Sequence, residues 1–536
     1  MPELMREPAL TSARVEVTPP RSAGLNPLRP VILVWTLVFL LRAAALLLGL
    51  DRLPLTPTVI DEVIINDPAV ALSRGFGLVA FSFDHSPSGL DRLYGHFPPV
   101  FIAVQALVFR VFGFSVFTLR ASSVFFDLMG CLIFLAILLE LRRRRLAETW
   151  AIALAGVLVM LEPTALVHSR QGRMESLIVF LGGLALYLAI RAERSRRHER
   201  PLWIAGSIAV GLALCTHFAA LMMWAAFAVW SIRRFQRLGP ALWLTVNSLP
   251  IAVLFAVWGI TYHEKALAAF RQMHSIAAFS PGPSLRLGDL VSSIAARDFR
   301  AVVSTSGGPA LLCALAVLLL ASWRLWTTRS APPPEAPRDW RSALATISAV
   351  LAVQGLLLEF VVPNSGWSRV LLAVPFAFVC LSVAVSYLPR RSWRTLAAGA
   401  LALVAAAQIF TIGFYLEQLR QDWTARSPQR FDLILSSIPD NARVAAVPQL
   451  WYAFVERQHR VTLLYSQLNE DYYFLEVPHA FDEFDYVILS PAAPDYPQML
   501  AKAQAEHPVQ LLFQTFKGDF VVLARSRLGN AEPSRQ

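Results

Sequence analysis

The sequence predicts an all-α polytopic membrane protein of about eleven transmembrane helices, followed by a small C-terminal α/β soluble domain. Three observations carry this. Of 536 residues, 56% are hydrophobic and only 16% charged, where an average soluble domain has about 25% charged. Apolar runs recur near 31–50, 98–114, 121–141, 148–163, 175–191, 201–217, 218–232, 241–260, 308–326, 343–361, 368–388 and 395–416, most close to the roughly 20 residues that a spanning helix needs. Beyond about residue 418 the character changes, and short β-rich stretches alternate with polar, helix-compatible ones.

The N-terminal segment 1–30 reads as a cytoplasmic tail. The first run, 31–50, is too long for a signal-peptide core and lacks a small-residue cleavage site, so it is expected to be a retained span. The net charge of +11 does not point to nucleic acid. Arginines cluster between apolar runs, in RRRR (142–145), RAERSRRHER (191–200) and RRFQR (233–237), as cytoplasmic loops of membrane proteins do. If all twelve runs crossed, those three patches would lie outside. The run at 98–114 is short and carries Gln105 and Arg110, which suits an amphipathic helix lying at the outer surface. With that one reassignment all three patches, and the loops 324–341 and 389–394, turn cytoplasmic.

The expected domains are then the tail 1–30, a transmembrane domain 31–417 with a large first outer loop at 51–120, and an outward-facing α/β domain at 418–536. In that last domain RVAAV (443–447), DYVILS (485–490), VQLLF (509–513) and DFVVLA (519–524) read as strands, with helices near 428–437 and 494–506. Cys131, Cys215, Cys313 and Cys380 all fall inside apolar runs without metal-ligand spacing, so neither a disulfide framework nor a zinc site is indicated.

Polar residues from distant loops gather on the outer face. The first outer loop supplies Asp61, Glu62, Asp67, Asp84, His85 and His96; the second supplies Arg170, Arg173 and Glu175; the third opens with Tyr262, His263, Glu264 and Lys265; the fourth ends at Arg369. Acids on one loop and cations on others suit group transfer from a phosphate-linked donor. A carboxylate takes the proton of an attacking hydroxyl, and Arg or Lys stabilises the charge that grows as phosphate leaves. Each item also has a plainer reading: a solvated acidic pair, headgroup anchors for the arginines, a helix end at 263–265. Asp84, His85 and His96 lack the spacing of a metal site. Within the spans, Arg42 and Asp127 fall at similar depths, roughly 12 and 9 Å from the outer ends at 1.5 Å per residue, and are expected to form a buried structural ion pair.

These motifs, in this order, resemble the glycosyltransferase family 39-like membrane enzymes of the GT-C type, which include protein O-mannosyltransferases and lipid A aminoarabinose transferases. The features are the pair Asp61–Glu62 followed by DPAVALSRG (67–75), His96-Phe97-Pro98-Pro99, FGFSVFTLR (112–120), Pro163 with HSRQGRME (168–175), and SRVLLAVP (368–375). One residue separates His96 from the prolines where the family has an HPP element. The likeness is carried by residues 30–190 and, beyond them, by architecture.

The resemblance implies a hexosyl or pentosyl transfer from a polyprenyl-phosphate sugar to an acceptor outside the cytoplasm: protein, lipid or polysaccharide of the cell envelope. It implies Asp61 as general base with Glu62 shaping the site. Arg170, Arg173, Lys265 and Arg369 are candidates for the donor phosphate, and His96, Glu175, Tyr262, His263 and Glu264 for substrate contacts. No particular cofactor is implied, and a divalent metal stays open. Arginine-rich, lysine-poor usage fits a GC-rich bacterial genome, and the expected location is the bacterial inner membrane, multi-pass, with the site and the C-terminal domain facing outside. The competing readings are a lipid or polysaccharide transporter or flippase, which would show an inverted repeat and a charged central path, and a non-enzymatic envelope-assembly scaffold. No repeat is visible in the sequence.

Overall fold

The computed structural model describes residues 28–53, 59–83, 97–194, 198–217, 366–386, 390–421, 426–464, 481–491, 496–515 and 518–525, with a few single positions between them. Helices dominate: α1 (Arg29–Leu47), α2 (Val59–Ser73), α3 (Pro99–Phe112), α4 (Val116–Arg143), α5 (Thr149–Met160), α6 (Pro163–Ser169), α7 (Glu175–Arg194), α8 (Glu199–Leu214), α9 (Gly366–Ser386) and α10 (Arg391–Gln421). Among the described residues five helical stretches are long and apolar enough to cross a membrane: Arg29–Leu47, Val116–Arg143, Thr149–Ser169, Glu175–Ala192 and Arg391–Gln421. The expected runs at 241–260, 308–326 and 343–361 lie outside the described residues.

α4 and α8 both pack on α7, and α9 packs on α5. At one end of this bundle the basic loops meet. Glu140 of α4 is buried with Arg144 at 3.5 Å, Arg143 at 3.6 Å and Arg191 at 3.9 Å. Arg394 pairs with Glu148 at 2.6 Å. Three of the basic segments therefore share one end, as the charge pattern requires.

Within the bundle, Arg42 of α1 donates Nε and Nη2 to the two carboxylate oxygens of Asp127 on α4, both at 2.7 Å. Its Nη1 donates to the carbonyls of Met160 at 2.7 Å and Glu162 at 3.3 Å. Those carbonyls lie where the helix breaks between α5 and α6, ahead of Pro163, which has no N–H to offer. One guanidinium thus neutralises a buried carboxylate and caps a broken helix. Nearby, Trp35 donates its indole N–H to Ala153 O at 3.0 Å. Its ring occupies the space beside Gly156, where a Cβ would come within 2.4 Å of the indole nitrogen.

The stretch read as the first outer loop holds helices. α2 is buried from Glu62 to Val70. α3 is about 21 Å long at 1.5 Å per residue, too short to cross a core of about 30 Å. It buries Phe101, Ile102, Gln105 and Phe109 and exposes Leu107, Arg110, Val111 and Phe112.

The C-terminal part forms one mixed sheet. The strands are β1 (Val444–Ala446), β2 (Val461–Leu463), β3 (Tyr486–Leu489), β4 (Val509–Thr515) and β5 (Gly518–Ala524), ordered β2-β1-β3-β5-β4. β1 pairs in parallel with β2 and β3, while β5 runs antiparallel to β3 and β4. The short helices α11 (Asp432–Ser436) and α12 (Trp451–Glu456) and the longer α13 (Tyr496–Glu506) accompany it. The sheet's apolar core runs without a break into Val63, Ile64, Ile102, Phe109 and Leu119 of α2, α3 and α4.

Asp127→Ala would leave Arg42 without its counter-ion, and losing one partner of such a buried pair is expected to cost about 3–5 kcal/mol. This reads out as a lowered thermal midpoint in detergent. Replacing both, Arg42→Met with Asp127→Leu, should recover only part of the loss, because the carbonyls of Met160 and Glu162 stay uncapped. A single variant as stable as the parent would refute a holding role for the pair.

Candidate active site

The acidic stretch folds as α2. Asp61 is its third residue, beside the helix N-terminus, where the backbone dipole favours a negative charge; its side chain lies outside the described residues. Glu62 is 1% exposed. Its Oε1 accepts Arg120 Nε at 2.8 Å, and its Oε2 accepts Arg120 Nη2 at 3.1 Å and the hydroxyl of Tyr452. The plainer reading of a solvated acidic pair therefore fails for Glu62. Burial and the neighbouring Glu62 carboxylate together push the Tyr452 phenol well above its ordinary range, so it stays a donor.

Asp67, one and a half turns further on, is also buried. Oδ2 accepts the Ser82 backbone N–H at 2.9 Å, and Oδ1 accepts Ser82 Oγ at 2.7 Å and Trp451 Nε1 at 2.9 Å. Burial raises its pKa above the usual carboxylate range, and the donors from Ser82 and Trp451 pull it back down. Between these acids, Asn66 donates to Glu62 O and Gly172 O at 2.7 and 3.0 Å and accepts Gln105 Nε2 at 2.8 Å. Gln105 in turn donates to Leu119 O at 2.7 Å and accepts Ser122 Oγ at 2.6 Å. α2 is thus tied to α3, α4 and the loop after α6.

That loop carries the HSRQGRME motif. Arg170 donates to Ala45 O at 2.6 Å, Leu46 O at 2.9 Å and Gly49 O at 3.0 Å, capping the end of α1. Arg120 closes the same turn from the other side through Leu50 O and Arg52 O. Arg173 pairs with Glu175, Nη2 to Oε1 at 2.7 Å. Gly172 has φ of +56°. A Cβ there would meet Leu119 Cδ2 at 2.3 Å and Glu62 Oε1 at 3.1 Å. Glu175 and Ser176 line a hollow of about 30 Å³ that reaches Arg42 and Asp127, room for a water or two.

Glu62, Arg170, Arg173 and Glu175 are therefore brought to one region around α2 and the end of α1. Arg369 is the fourth residue of α9, with its side chain outside the described residues. Asp84, His85, His96, Tyr262, His263, Glu264 and Lys265 lie outside them as well. Among the described residues no three His, Cys, Asp or Glu side chains come together as a metal site. Sequence reasoning singled out neither Arg120 nor Trp451, Tyr452 and Asn66 as site residues. Arg120 ends the FGFSVFTLR motif, so a signal for it was present; the others pair across distances that no local pattern reveals.

The described residues thus form a helical bundle with helices long and apolar enough to cross a membrane, an acidic helix buried at one end and a small mixed-sheet domain packed upon it. The profile of the family described as PMT, Dolichyl-phosphate-mannose-protein mannosyltransferase, matches residues 80–263. Among solved structures, ArnT from Cupriavidus metallidurans in the apo state aligns with 94% of this chain and 98% of its own at 14% identity and a TM-score of 0.61. The same protein bound to undecaprenyl phosphate aligns with 93% and 98% at 15% identity and 0.59. No curated protein sequence matches. Residues 80–263 are thus similar to the family that the motifs resemble, and the remainder of the chain shares the fold of ArnT. The matched segment begins after Asp61 and Glu62 and ends on His263, so the acidic pair falls outside it.

Gly172→Ala combines an unfavourable φ with a clash against Leu119. It is expected to lower stability by at least about 1–3 kcal/mol, measured by thermal unfolding. Unchanged stability would show that the loop gives way freely and does not seat Glu62. Asp67→Asn sets an amide N–H₂ against a ring of donors and should cost about 1–3 kcal/mol; an unaltered midpoint would contradict the donor assignment at Ser82 and Trp451.

Proposed function

We propose that this protein transfers a sugar from a polyprenyl-phosphate donor to an acceptor outside the cytoplasm, with Asp61 as the general base. The observation that carries the reading is the match of residues 80–263 to the dolichyl-phosphate-mannose-protein mannosyltransferase family. The fold shared with ArnT, one structure of which holds undecaprenyl phosphate, is in keeping with a lipid-linked donor.

The chemistry follows from charge. Asp61 takes the proton of the acceptor hydroxyl as its oxygen attacks the anomeric carbon. The bond from that carbon to the donor's phosphate oxygen breaks, and the leaving polyprenyl phosphate gains negative charge. Cations stabilise that charge. Glu62 has both oxygens engaged by Arg120 and Tyr452, so its part is to fix α2. Arg170 and Arg173 already bond protein acceptors. The reading therefore gives the phosphate first to Lys265 and Arg369, with Arg170 and Arg173 setting the floor of the site. His96, Glu175, Tyr262, His263 and Glu264 fill substrate-contact roles around it. On the eleven-span reading of the sequence, this end of the bundle and residues 418–536 face outward from a bacterial inner membrane.

The test is release of polyprenyl phosphate from a panel of polyprenyl-phosphate sugars by purified protein in lipid. The parent should turn over at least one donor. Asp61→Asn should lose about 10²–10⁴-fold in rate, the usual worth of a general base, while still binding that donor. Equal rates would remove Asp61 from the chemistry. No donor bound across the panel would favour a transporter or a scaffold.

A further inference from the structure

We propose that Trp451 and Tyr452 of the C-terminal domain are positioning residues, which hold α2, and with it Asp61, in working register through Asp67 and Glu62. This rests on the reading of Asp61 as the base.

The contacts across this junction are specific and buried. Trp451 and Tyr452 are both 0% exposed. The Tyr452 hydroxyl donates to Glu62 Oε2, and Trp451 Nε1 donates to Asp67 Oδ1 at 2.9 Å. Arg74, just past the end of α2, donates Nη2 to Val455 O at 2.8 Å. Further along, the Arg460 guanidinium lies 4.5 Å from the ring centre of Phe81 and 5.4 Å from that of Phe76. The ring of Trp451 also meets Phe114 edge-on at 5.4 Å.

The spacing of the anchors gives them their effect. Glu62 and Asp67 are five residues apart, about 7.5 Å along the helix and about 140° around it. Two hydrogen bonds from one short helix, α12, at points separated in both senses fix the rotation of α2 as well as its height. Asp61 directly precedes the first anchor, so any rotation of α2 about its axis moves it by the same angle.

The chemistry of the two donors fits positioning. The Glu62 charge is already balanced by Arg120, and a second cation would leave buried charge uncompensated. A neutral phenol fills a further lone pair without adding charge. An indole has a single N–H and no acceptor, so its bond to Asp67 runs in one direction only. The α/β domain shows no catalytic motif in its sequence, yet it reaches the acidic helix at both carboxylates that flank the proposed base on its C-terminal side.

The test uses the full chain in lipid with Tyr452→Phe and Trp451→Phe, which delete the donors and keep aromatic rings. Two readouts are taken: steady-state donor turnover, and hydrogen–deuterium exchange of the α2 amides. The expected result is a fall in kcat of about tenfold or more, in line with the sensitivity of rate to small misplacements. Donor KM should stay within about twofold. The α2 amides should exchange faster while those of α5 and α7 do not change. Unchanged kcat in both variants, or a raised KM with kcat intact, overturns the proposal. If the parent turns over no donor, the proposed function fails and exchange alone decides. Unchanged α2 protection then sinks the positioning contact, and lost protection upholds it.

Discussion

Three buried guanidinium groups hold this structure to one arrangement. Arg42, Arg120 and Arg170 are each at most 5% exposed, and each bonds main-chain carbonyls. In a bilayer there is no water to satisfy the last carbonyls of a helix, and each one left alone costs several kcal/mol. Arg170 and Arg120 close the carbonyls from Ala45 to Arg52, where α1 ends and the chain turns toward α2. Arg42 closes those at the break before Pro163. The guanidinium's five donors, set in a planar fork, let Arg42 meet both oxygens of a carboxylate and two carbonyls together, four bonds where an ammonium has three donors. Such pairs add little net stability compared with apolar packing. They fix the positions of α1, α4 and the α5–α6 break relative to one another.

The site inherits that rigidity. Arg120 bonds the turn after α1 with one nitrogen and Glu62 with the other two, so α2 is placed directly by the end of α1. Gly172 lets the motif loop approach until its carbonyl reaches Asn66. Two of the three acids between residues 61 and 67 thus have their oxygens occupied by protein donors. The proposal places the chemistry on the remaining one, Asp61, whose position follows from the helix that its neighbours lock.

The sequence revealed much of the architecture and less of the site. Apolar runs and arginine patches marked the bundle because crossing a membrane demands length and charge asymmetry, both local properties. Four of the five strands fall on runs rich in Val, Ile, Leu and Phe. β2 and α12 did not stand out: a three-residue strand and a six-residue helix are too short to show a period, and α12 is buried from Trp451 to Val455. α2 read as loop for a related reason. Burial from Glu62 to Val70 leaves no polar face to alternate with an apolar one, and Pro68 inside it argues against a helix. Arg120 stood in a recognised motif, but its partner is 58 residues away, and Tyr452 is 390 residues from Glu62.

That last distance bears on how the two parts of the chain depend on each other. A sheet domain of this size, with strands as short as three residues, has a small core of its own. Here the core continues into α2, α3 and the start of α4, so apolar area that would otherwise face water is buried by both parts at once. The junction is not purely apolar, since two carboxylates of α2 lie inside it and each takes one donor from the sheet side, Glu62 from Tyr452 and Asp67 from Trp451. An apolar interface alone would tolerate sliding; an interface holding Glu62 and Asp67 does not, because each displaced carboxylate would lose a buried hydrogen-bond donor. The domain's attachment and the geometry of the acidic helix are therefore one constraint, and a change in either is felt by the other.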